Sequence, residues 1–185
     1  MKNDLLELVK RRQSDRAYDA SRPVEQDKID YILEVARMAP SACNAQPWKF
    51  VVVTDPVIRQ KTASAIADRS LGMNHFAYQA PVLIVLIEEQ PNLSSRTGGF
   101  IKQKHFPDTD LGIAAAHITL AAAEQGLGTC ILGWFDEKRI REVLDIPSSK
   151  RPMLVITLGY SAQPIREKKR KRMDEVVSLN KYQKQ

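Results

Sequence analysis

Ala39-Pro40-Ser41-Ala42-Cys43-Asn44-Ala45-Gln46-Pro47-Trp48-Lys49-Phe50 is a loop that runs into a strand. Prolines at both ends, Pro40 and Pro47, stiffen it, and Pro40 disfavours helix in the residue before it. Ser41 and Ala42 are small enough for another backbone or a flat ligand to approach closely. Asn44 and Gln46 offer amide donors and acceptors in pairs, the chemistry needed to read a uracil-like ring edge. The same residues also suit a rigid turn whose polar groups satisfy its own backbone. From Lys49 to Thr54 the chain is rich in β-branched residues and reads as a strand.

Outward from this stretch, helices and short strands alternate. Residues 3–11 read as a helix capped by Asn3 or Asp4, and 26–38 as an amphipathic helix with Ile29, Ile32, Leu33 and Ala36 on one face. Residues 56–69 return to helix, and Pro81 to Ile87 is a buried strand. The polar segment 89–108, with Gly98-Gly99 inside it, reads as a mobile excursion. Residues 110–125 form a long Ala-rich helix with Asp110 at its cap or in its first turn, and Gly126 ends it. Its small residues Ala114, Ala115, Ala121 and Ala122 suit either a core or a dimer seam. Gly128 to Leu132 and Met153 to Leu158 are strands, with a short helix at 136–144 between them. The rest is a basic, mostly extended tail. The pattern implies an α+β fold, a sheet with helices packed on it, in a single domain spanning 1–185 whose residues 161–185 form the tail.

Composition narrows the function. The 185 residues carry a formal net charge of +6, and 43% are apolar. The longest apolar stretch is strand-sized, so no membrane-spanning helix is expected, and Glu7 and Lys10 interrupt any signal-peptide core. A cytoplasmic location is the expectation. Cys43 and Cys130 are too few for a disulfide scaffold, and His75, His105 and His117 are scattered, so no metal site is expected. Neither a dinucleotide-binding glycine motif nor a phosphate-binding P-loop is present.

The positive charge has a location. Arg166 to Arg172 holds six cations and one anion. Lys10-Arg11-Arg12 and Arg16 form a second cluster. In Arg12-Gln13-Ser14-Asp15-Arg16, the side chains of Arg12, Gln13, Ser14 and Arg16 can serve one anionic ligand. They could equally be the basic end of a helix balancing its dipole. Composition alone leaves a small phosphate and a nucleic acid level as partners, although no aromatics are interleaved with the tail charges to stack on bases. Gly126-Leu127-Gly128-Thr129-Cys130-Ile131-Leu132-Gly133 adds glycines where a ligand could meet the backbone.

Taken in order, these segments resemble the nitroreductase family. Arg12-Gln13-Ser14-Asp15-Arg16-Ala17-Tyr18 is similar to its R-R-S-x-R-x-[FY] pattern. Ala39, Pro40, Ser41, Asn44, Gln46, Pro47 and Trp48 match its most specific segment at every named position. Asp110, Ala114, Ala122 and Gly126 to Thr129 match a third. The resemblance implies an α/β sandwich with a central, mainly antiparallel sheet, assembled as an intertwined homodimer with FMN at the interface. It implies that Arg12, Gln13, Ser14 and Arg16 hold the phosphate, ribityl chain and pyrimidine side of FMN. Pro40, Ser41, Ala42, Asn44 and Gln46 would reach the flavin ring from the partner chain. Leu132 and Gly133 would lie by its central ring, with the Gly133 N–H near N5, and Lys168 and Arg170 would complete the phosphate clamp. No side chain is implied as an essential acid or base. NADH or NADPH would be the electron donor in a ping-pong reaction, and a nitroaromatic, quinone or similar electron-poor small molecule the acceptor. The basic excess then needs no nucleic acid.

The chain departs from the family at Gln13, where a cation or histidine is more usual. Alternatives within the family are reduction of free flavin, dehalogenation of iodotyrosine, oxidation of peptide azolines and breakdown of the flavin itself. Outside it stand a non-enzymatic flavin-binding protein and a nucleic-acid-binding protein. The 89–108 segment is expected to cover the flavin face, with Phe100, His105 and Phe106 as candidate lining residues.

Overall fold

A computed structural model describes residues 4–68 and 70–183. Asn3, one of the two expected helix caps, and Arg69, the expected end of another helix, lie outside the described residues.

The β-branched and apolar runs become strands β1 (Trp48–Val53), β2 (Val82–Glu88), β3 (Gly128–Leu132) and β4 (Arg151–Gly159). They form a four-stranded antiparallel sheet in the order β1-β2-β4-β3. The most apolar strand, β2, therefore sits in the interior. Its residues Val82 to Ile87 are all buried, because helices cover both faces of the sheet. That is why this strand is a continuous apolar run and shows no alternation. Leu83, Val85 and Ile87 pack in the layer of helices α3 (Pro56–Ile66) and α6 (Glu137–Val143). Val82, Ile84 and Leu86 pack in the layer of α2 (Gln26–Arg37) and α5 (Phe106–Glu124). Each buried aliphatic side chain of this kind contributes roughly 1.5–3 kcal/mol.

Two expectations are corrected. First, α5 begins at Phe106, with Pro107 in its first turn. Proline suits that position because its missing N–H has no intrahelical partner there. Asp110 is thus one turn inside the helix and buried, so it is not the cap. Second, the 89–108 segment contains a helix, α4 (Leu93–Lys102). The side chain of Asn92 caps it by accepting from the Ser95 N–H at 2.9 Å. The glycine pair does not break this helix. Gly99 is needed because a Cβ there would lie 2.7 Å from the Lys104 carbonyl oxygen, where the chain folds back.

The alanines of α5 serve this chain's own core: Ala115, Ala121 and Ala122 pack in the same cluster as Ile29, Ile32 and Ala36 of α2. Gly126, at φ +75°, ends the helix, and the Leu127 N–H returns to the Ala122 carbonyl at 2.8 Å. The first helix, α1 (Asp4–Arg11), buries no residue and leaves Leu5, Leu6 and Val9 exposed. As far as residue 183 the tail is mostly exposed and extended, apart from a short turn of helix, α7 (Met173–Val176). No helix among the described residues is long and apolar enough to cross a membrane.

Candidate active site

After α1 the chain turns along the free edge of β3. Ser14 forms a parallel bridge with Thr129, and the Asp15 N–H donates to the Thr129 carbonyl at 2.8 Å. The chain then crosses to the end of β4, where Tyr18 bridges Ser161 and the Asp19 N–H donates to the Tyr160 carbonyl at 2.9 Å. Tyr18 anchors this turn. Its hydroxyl donates to the Asp15 carbonyl at 2.9 Å and lies 2.6 Å from Thr157 Oγ1. Burial pushes the phenol well above its ordinary range, so it remains a protonated anchor.

The basic tail folds back over the turn. The Arg166 N–H donates to Gln13 Oε1 at 3.0 Å, and Arg166 Nη2 donates to the Ser14 carbonyl at 2.7 Å. Lys168 Nζ donates to the Arg12 carbonyl. Arg12, Gln13, Ser14 and Arg16 thereby share one cavity of about 400 Å³ with Arg166, Lys168, Lys169 and Arg170 and with a single carboxylate, Glu167. Among the described residues, no carboxylate forms an ion pair with the guanidinium of Arg12 or Arg16. The Lys168 ammonium is held below its usual range, by partial burial first and then by Arg12 and Arg170. Cations pressed together in this way fit a phosphate dianion, which would relieve their mutual repulsion. Gln13 lines the cavity, but its amide is already engaged: Nε2 donates to Asp15 Oδ1 at 2.9 Å and to the Pro164 carbonyl at 3.1 Å.

Sequence reasoning missed the residue that organises this region. Asp15 is buried, and its Oδ1 also accepts from Ser161 Oγ at 2.7 Å and Gln163 Nε2 at 3.2 Å. Gln163 in turn accepts the Arg16 N–H at 3.3 Å. The overlooked signal was Gly128, where a Cβ would lie 2.6 Å from Asp15 Oδ2. That glycine makes room for a side chain of this same molecule.

The 40–46 loop is a second rigid element. Cys43, Asn44 and Gln46 hold φ of 50°, 51° and 47°. Such left-handed backbone at non-glycine residues persists only when the surroundings fix it. Here Asp110 Oδ1 accepts the Ala42 N–H at 3.0 Å, Ser41 Oγ accepts the Gln46 N–H at 2.9 Å, and Asn92 Nδ2 donates to the Cys43 carbonyl at 2.9 Å. Asn44 and Gln46 are exposed and pair with each other, Gln46 Nε2 donating to Asn44 Oδ1 at 3.2 Å. Pro40 is exposed, while Ser41 and Ala42 are half-buried. The other carboxylate oxygen of Asp110, Oδ2, is buried without a partner.

The structure does not bring these two elements together within one chain. The loop leads into β1 and the turn lies along β3, at opposite edges of the sheet, which are about 14 Å apart across three strand spacings. Leu132 is buried at the end of β3. Gly133 is exposed, with open space where a Cβ would point.

Comparison with known proteins agrees with this architecture. A model described as the nitroreductase family matches residues 9–160. An NADH dehydrogenase of Thermus thermophilus is 30% identical over 179 residues, covering 83% of this chain and 84% of its own. A structure described as an FMN-dependent nitroreductase of Clostridium difficile superposes with a TM-score of 0.74 at 30% identity, covering 96% of this chain and 99% of the other. An iodotyrosine deiodinase of Thermotoga neapolitana is 26% identical, covering 96% and 98%. The chain belongs to the nitroreductase family and is an oxidoreductase of that family.

Proposed function

We propose that this protein is an FMN-dependent NAD(P)H oxidoreductase that works as a homodimer and passes electrons to a nitroaromatic, quinone or similar electron-poor small molecule. The observation that carries the reading is the convergence of Arg12, Ser14 and Arg16 with Lys168 and Arg170 on one cavity. When bound, FMN supplies the hydride-accepting and hydride-donating ring.

In this reading the chain supplies position and electrostatics. Lys168, Arg170 and Arg12 hold the phosphate with charge-assisted hydrogen bonds. Ser14 and the tethered Gln13 fix the turn beneath the ribityl chain. Arg16 stabilises the negative charge that the pyrimidine side gains on reduction, an effect that grows in a partly dry site. Leu132 and Gly133 flank the ring, and the bare Gly133 backbone leaves its face open. Pro40, Ser41, Ala42, Asn44 and Gln46 come from the partner copy, which accounts for their distance from the cation cluster in a single chain. Donor and acceptor use the same open face in turn, and no side chain acts as an essential acid or base.

The test is the visible absorption spectrum of purified protein before and after anaerobic NADPH, then NADH. Flavin bands that bleach support the reading. A colourless protein that fails to take up added FMN sinks it. Arg16→Ala should bind FMN more weakly and slow the bleaching, and unchanged flavin content with an unchanged rate would refute the role given to Arg16.

A further inference from the structure

A cavity of about 790 Å³ lies away from the cation cluster, where the end of β2, α4 and the start of α5 meet. That volume is ordinary for a small-molecule site. Phe100 and Phe106 give it aromatic surface, Arg96 and Lys104 give it cations, and no Asp or Glu side chain lines it. His105 is already used, its Nε2 lying 2.8 Å from Glu88 Oε1 and 3.8 Å from Asp108 Oδ1. Arg96 and Lys104 have no ion-pair partner among the described residues. Ser95 also lines the cavity, and its Oγ is buried without any hydrogen-bond partner. A buried hydroxyl left alone is costly, and an incoming acceptor atom would remove that cost.

The cavity is coupled to the loop given to the flavin ring. Asn92, which caps α4, also donates to the Cys43 carbonyl, and Asp110 of α5 holds the Ala42 N–H. Both walls are thereby fastened to the 41–46 loop.

We infer that this cavity takes the carboxylate end of an aromatic electron acceptor, with its ring against Phe100 and Phe106 and its negative charge at Ser95, Arg96 and Lys104. This rests on the flavin reading above. A planar anion matches both halves of the lining, since aromatic rings pair with aromatic rings and carboxylates with guanidinium and ammonium groups. A neutral acceptor leaves the charged half unused.

The experiment is calorimetric titration of the purified flavin-loaded protein with 4-nitrobenzoate and with the neutral 4-nitrobenzamide, in wild type and in Arg96→Gln/Lys104→Gln. Wild type should prefer the carboxylate, and the double variant should lose about tenfold of that preference, as removal of charge-assisted contacts predicts. Its affinity for 4-nitrobenzamide should stay within about twofold, because ring packing is untouched. Equal wild-type affinity for the two compounds, or equal weakening of both in the variant, overturns the inference. So does a variant that keeps the preference but is reduced more slowly by NADPH, because the cations then serve the donor's phosphates. Absence of flavin would instead strike the parent reading, while the same titration on that protein still scores the carboxylate preference.

Discussion

The carboxylate of Asp15 joins two parts of the chain that are about 150 residues apart. It holds Gln13, Ser161 and Gln163, and through them the Arg166 and Arg16 backbones. It is a positioning residue, since it works through Gln13 and Arg16, the groups given to the ribityl chain and the pyrimidine side. Asp15→Ala should therefore weaken FMN binding by about tenfold or more, the usual scale for lost hydrogen bonds to a charged group. Riboflavin, which keeps the ribityl chain and the ring, should weaken by a similar factor. Flavin fluorescence quenching measures both, and a loss confined to FMN would refute this assignment. Asp15→Asn keeps one acceptor oxygen and should restore part of the affinity. Asp68 offers a pH signal of its own. Hydrogen bonds from Ser70 first, then Leu71 and Trp134, lower its carboxyl from 3.8 to about 2. A depressed carboxyl contributes stability above its ordinary value and loses it as pH falls through the lowered one. The Trp134 indole donates to Asp68 at 3.3 Å, so tryptophan fluorescence should titrate with a midpoint near 2 and not near 3.8. Asp68→Asn should abolish that step, and a midpoint near the ordinary carboxylate value would refute the assignment.

At the scale of elements, most of the fold was legible because burial imposes a period on the sequence. Ile29, Ile32 and Ala36 predict α2 by spacing, and the unbroken run from Val82 predicts a strand covered on both faces. Two elements were misread, each for a local physical reason. Gly98-Gly99 looks like a helix breaker, yet in α4 the close Lys104 carbonyl requires a residue with no side chain at Gly99. Asp110 looks like a helix cap because acids favour helix starts. Its actual partner, the Ala42 N–H, is 68 residues away and leaves no trace in local sequence. The candidate site divides in the same manner. The two cation clusters and the proline-bounded loop are local patterns and could be read directly. The Asp15 network depends on long-range contacts and could not, whereas the cavity behind α4 is lined by residues 90–107, and Phe100, His105 and Phe106 among them were already candidates.

At the scale of the molecule, apolar surface remains uncovered. Leu5, Leu6 and Val9 of α1 are exposed, as are Ile165, Met173, Val176, Val177 and Leu179 of the tail. The outer side of α5 shows Gly112 and Ala116. A second copy is the proposed cover for such a surface. The separation of the 40–46 loop from the Arg12 to Arg16 turn has a genetic consequence under that proposal. Each site draws one half from each copy, so a lesion in either half removes both sites of a pure mutant dimer. Arg16→Ala protein and Asn44→Ala/Gln46→Ala protein, each deficient alone, should therefore complement when co-expressed. Random assortment makes half the dimers hybrid, each with one wholly native site, so about a quarter of the normal flavin-binding capacity should return.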